Sequence, residues 1–150
     1  MGKGTAVNIL LSTLYASLGT LCFAVLFHVP QRHYIRCAAV GGVGWLVYLL
    51  AMALGAGCVS ATLAASVPLA LLSRWYAVKA RAPATVFLLC GIFPLVPGAG
   101  IYYTAYYFVS GQMALFSAKL AEVIKVALAL SVGIAVVLSV PLPHSHVYGP

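Results

Sequence analysis

Acidic side chains are almost missing from this sequence: eight Lys and Arg stand against a single carboxylate, Glu122, and there is no aspartate. A pair of carboxylates acting as general acid and base is therefore excluded. Charge of either sign is scarce, at 6% of 150 residues, where a soluble domain carries roughly 25%. So few charges cannot cover a water-facing surface. With 64% hydrophobic residues and a mean hydropathy of +1.10, the chain reads as an integral membrane protein. Its length suits one transmembrane domain, residues 1–150, without a separate catalytic module.

Other absences narrow the function. No P-loop pattern occurs, which argues against ATP-driven pumping by this chain alone. No serine or cysteine lies in a recognisable nucleophile motif, so no enzyme and no cofactor are expected. Cys22, Cys37, Cys58 and Cys90 have neither CxxC nor Cys/His spacing, and they read as small packing residues rather than a disulfide framework or a zinc site. His144 and His146 lack a third ligand, so no metal site is expected. The basic residues form no continuous run. They cluster at breaks between apolar stretches, as they do at membrane surfaces, and nucleic acid is not an expected partner.

What is present is a series of apolar runs, each to be judged against the roughly 20 residues that cross a bilayer. Five spans are expected, at about 5–27, 37–54, 58–72, 84–109 and 120–140. The first is longer than a signal-peptide core and is followed by further spans. The opening MGKGTA misses the myristoylation pattern at Ala6. HVPQRHYIR (28–36) is a polar break stopped by Pro30, GAG (55–57) is a tight turn, and SRWYAVKARAP (73–83) is a second basic break. The prediction is an all-α, polytopic membrane protein with a Pro/Gly-broken fourth helix. Arg32, Arg36, Arg74, Lys79 and Arg81 share one face. The positive-inside rule then puts the N-terminus outside and the C-terminus in the cytoplasm. Ala38/Gly42 and Ala51/Gly55, each four apart, predict close helix packing within the chain, with a partner or between copies.

Three features carry polar chemistry. In FPLVPGAGIYY (93–103), Pro94 and Pro97 each remove a backbone donor, and Gly98 and Gly100 permit non-helical backbone. Within hydrocarbon, freed backbone groups are tolerated where they are buried in protein or line a cavity, and transporters build sites from such broken helices. Tyr102, Tyr103, Thr104 and Tyr106 follow directly. They are either an interfacial belt or polar contacts for a solute path. Lys119, Glu122 and Lys125, three apart, share one helix face. They are either a charge-neutralised helix end at the interface or the lining of an aqueous, ion-coupling route.

The segments FHVPQRHYIRCAAVGGVGW, SRWYAVKARAP and IFPLVPGAGIYYTAYYFVSGQ occur in the order and spacing of the threonine/serine exporter family. The chain resembles that family's small membrane subunit, similar to the C-terminal half of its fused members, from the first span to Pro141. The sharpest matches are Phe27, Val29 and Pro30, then Ser73 to Tyr76, then Pro94, Pro97 and Gly98. The resemblance implies export of small hydroxy amino acids across a bacterial inner membrane, driven by the membrane gradient. It also implies a larger membrane subunit as partner, and leaves Glu122 or that partner as the coupling group. Other small organic acids, such as dicarboxylates, stay open as cargo. A non-transporting scaffold and a gradient-independent channel are the competing readings.

Overall fold

The computed structural model describes residues 3–140, with side chains from Val7 onward. Pro141 to Pro143 and the tail histidines His144 and His146 lie outside the described residues. Six α-helices follow in order: α1 (Lys3–Leu26), α2 (Tyr34–Ala53), α3 (Cys58–Ala80), α4 (Ala84–Gly91), α5 (Gly98–Val109) and α6 (Met113–Ser139). Short 3-10 turns at Gln31–His33 and Phe93–Leu95 precede α2 and follow α4. Four helices are long and apolar enough to cross a membrane, and a fifth crossing arises if the bent pair α4–α5 counts as one. The fold is an all-α, polytopic membrane bundle.

The helix ends are written in local chemistry. His28, Gly55, Arg81 and Gly111 take left-handed backbone, and the next residue returns a hydrogen bond five positions back. These bonds are Val29 N to Ala24 O (3.0 Å), Ala56 N to Ala51 O (3.1 Å), Ala82 N to Ala77 O (3.0 Å) and Gln112 N to Tyr107 O (2.9 Å). This closure satisfies carbonyls that would otherwise face lipid unpaired. Gly55 is thus a helix terminator, so the Ala51/Gly55 pair does not serve helix packing. α3 passes through Pro68 unbroken and ends at Ala80, beyond the expected Leu72. The stretch RWYAVKA contains no helix breaker, and the stop comes only with Arg81 (φ 50°) and Pro83. α6 likewise starts at Met113, ahead of the expected Leu120.

Small residues set the packing. A Cβ added at Gly41 would overlap Thr20 Oγ1, one at Gly42 would overlap Ser17 Oγ, and one at Gly133 would overlap Ser66 Oγ. These contacts join α1 to α2 and α3 to α6. The expected role of Gly42 is met at α1, and its neighbour Gly41 shares it. Buried hydroxyls return bonds to their own helix: Thr20 to Ala16 O (2.8 Å), Ser66 to Leu63 O (2.7 Å) and Ser73 to Leu69 O (2.8 Å). No buried side-chain polar atom among the described residues lacks a partner. That is the condition for polar groups inside an apolar bundle.

The direction of α6 decides how the chain crosses. Arg74 on α3 donates to the Val137 carbonyl near the end of α6. Gly133 lies against Ser66, and Cys58 and Thr62 at the start of α3 share a cavity with Glu122 and Val126. α3 and α6 are therefore parallel. The chain leaves α3 at one end of the bundle and must regain the other end before α6 begins. α4 and α5, bent by 54° at the break between them, make that crossing together. From Ala84 to Leu95 is about 17 Å of helical rise, which puts the break about halfway through a 30 Å hydrocarbon core. Arg32, Arg36, Arg74, Lys79 and Arg81 gather at one end of the bundle, and Lys119, Glu122 and Lys125 lie toward the other.

Candidate functional site

The break is built by proline. Pro94 sits in the 3-10 turn, Val96 is extended (ψ 130°), and Pro97 leads into α5 at Gly98. Leu95 is buried and holds the turn in the bundle. On one side, Phe93 stacks on Phe23 of α1 with ring centroids 3.8 Å apart. On the other side, the first turn of α5 presents the amides of Ala99 and Gly100, which find no backbone acceptor. A helix start leaves such donors free by construction.

Beside this turn lies a cavity of about 260 Å³. Its walls are the break from Pro94 to Gly100, Trp45 and Tyr48 of α2, Cys58 and Thr62 of α3, and Lys119, Glu122, Val123 and Val126 of α6. Two features that are far apart in sequence, the Pro/Gly break and the charged face of α6, thus meet. Lys119 Nζ donates to Glu122 Oε2 at 2.8 Å, and both side chains stay partly open, at 31% and 48%. The volume lies just under the 300–1,000 Å³ typical of ligand pockets, a size suited to a small solute.

The other expected residues are placed differently. Thr104 is buried and donates to Gly100 O at 2.8 Å, which ties down the first turn of α5. Tyr102, Tyr103 and Tyr106 are exposed (64%, 47% and 51%) and do not line this cavity. They form an outward aromatic face with edge contacts between Tyr102 and Tyr103 and between Tyr106 and Tyr107. Lys125 is also exposed and does not line the cavity.

Sequence reading missed Trp45, Tyr48, Cys58 and Thr62. Trp45 and Tyr48 stack at 5.1 Å on one face of α2, and the Tyr48 hydroxyl meets Cys58 Sγ at 3.5 Å. The available signal was an aromatic pair three residues apart just before the GAG turn, which folds α3 back onto it. A second cavity of about 380 Å³ lies across the break, toward α1, and Trp45 and Pro94 line both cavities.

The family described as Threonine/Serine exporter, ThrE, matches residues 12–140. The chain belongs to that family. A protein of Mycobacterium tuberculosis described as "Probable threonine/serine exporter" is 28% identical over 105 residues, which is 70% of this chain and 20% of that protein. The chain thus matches about a fifth of that relative's length. No solved structure matches it. Within this exporter family the matched region contains both the break and the charged face of α6, so the cavity is made wholly from family sequence.

Proposed function

We propose that this chain is the membrane subunit of a two-component, gradient-driven exporter of small amino acids such as threonine and serine. The observation that carries the reading is the cavity in which the broken helix faces Lys119 and Glu122. A small solute bearing a carboxylate and an ammonium finds there backbone amides, a lysine and a carboxylate. Family membership and the one-fifth coverage of a longer exporter support a second, larger membrane subunit. The single transmembrane domain resides in a bacterial inner membrane. By the positive-inside rule the Arg-rich end faces the cytoplasm, so α1 starts outside and α6 ends inside. Glu122, the only carboxylate of the chain, is the group able to exchange a coupling proton here unless the partner supplies one.

The test is a Pro97→Ala/Gly98→Ala double variant, expressed with the larger subunit. Gly98 has open space around its Cβ position, so membrane insertion and co-purification should be unchanged. Threonine export should fall about tenfold or more as the break straightens. Normal export would remove the break from the path. Loss of export together with loss of co-purification would favour a scaffold.

A further inference from the structure

The Lys119–Glu122 pair is more than a neutralised helix surface, because it faces a cavity. The contact at 2.8 Å uses Glu122 Oε2 alone. Oε1 has no partner, and the lysine ammonium keeps two of its three donors. The pair therefore presents a free acceptor and free donors side by side to whatever enters. The polar groups of the remaining wall are uncharged, and the carbonyls of Pro94 and Leu95 among them accept no backbone hydrogen bond. The amides of Ala99 and Gly100 are donors, the Thr62 hydroxyl is committed to Cys58 O at 2.8 Å, and the Tyr48 hydroxyl has only the weak thiol contact. Without Glu122 the one formal charge lining the cavity would be the Lys119 ammonium, which favours an anion.

We propose that this ion pair reads the zwitterion of the cargo, with Lys119 taking the α-carboxylate, Glu122 Oε1 taking the α-ammonium, and Glu122 rejecting dicarboxylates. The proposal rests on the amino-acid exporter reading above and deepens it. The charge count supports the assignment, since this chain has no second carboxylate to hold an ammonium. A zwitterion lying antiparallel to the pair completes a ring of alternating charges without breaking the internal contact. A dicarboxylate has one end for Lys119 and brings its other end toward Glu122, where like charges repel.

The experiment measures export of labelled threonine and labelled succinate from cells that express the full chain with its larger subunit. Membrane levels of each variant are matched by immunoblot. Glu122→Gln should lower threonine export about tenfold or more, the effect of losing a hydrogen bond to a charged group, and should raise the succinate-to-threonine ratio. The swapped variant Lys119→Glu/Glu122→Lys restores a neutral pair in reverse order and should recover the wild-type ratio. An unchanged ratio in Glu122→Gln, whether export of both solutes persists or both fall together, overturns the proposal. Absence of threonine export by the wild-type pair of subunits instead overturns the exporter reading itself.

Discussion

The two halves of the broken crossing both lack charged residues and live in different surroundings. α4 buries Phe87, Cys90 and Gly91 against α2 and α3. α5 buries only Thr104 and leans on α6, with its tyrosines turned outward. α5 is the less apolar of the two, with four tyrosines, but composition does not set where each packs. The 54° bend does, because it carries α5 away from α2 and α3 and sets it against α6. α4 is thus the fixed half of the crossing, and α5, whose first turn lines the cavity, the outlying one. A side chain of α4 is constrained by neighbours on several sides, and one of α5 mostly by α6 and by whatever surrounds the bundle.

Substitutions on the two halves should therefore differ in kind. The largest effect belongs to Gly91→Leu on α4. A Cβ there already overlaps Val40 Cγ1, and the backbone of Gly41 lies just behind, at 3.6 Å. Overpacking of this sort should cost about 3 kcal/mol, read as a drop of several degrees in the unfolding temperature of the detergent-purified protein. Next comes Arg74→Met, which tests the parallel placement of α6 that makes α4–α5 a crossing. Val137 would normally bond the amide four residues on, but that residue is Pro141, which has no N–H. The Arg74 guanidinium supplies the donor instead. Its loss should cost about 2 kcal/mol, visible as increased proteolysis at the end of α6. The smallest effect is expected for Tyr106→Leu on α5, which should stay within about 0.5 kcal/mol of wild type. A large loss there would show that the outward face of α5 is covered in the assembled protein.

Composition and apolar runs were enough to expect a polytopic helical bundle, and Pro94, Pro97, Gly98 and Gly100 mark the break in the sequence itself. The charged triplet was visible too, though as one unit. The fold divides it, because a helix turn separates its members by angle: Lys119 and Glu122 face the cavity and Lys125 does not. The Trp45/Tyr48 pair was visible as an aromatic pair, but its role and that of Thr62 were not, because they depend on which helices become neighbours. Arg74 shows the limit most clearly. It reads as an interfacial residue in a basic loop, yet it lies within α3 and bonds a carbonyl 63 residues away.

The shared wall of Trp45 and Pro94 has an electrical consequence. Cavities of about 380 and 260 Å³ approach it from its two sides. Moving one elementary charge across the whole membrane along a path past this wall costs or releases about 2.3 kcal/mol per 100 mV. A dianion crossing there carries twice that work, and a zwitterion, with its charges cancelling, carries almost none. In the gradient-driven exporter proposed above, a site that admits only the zwitterion would leave the voltage to act on the coupling ion.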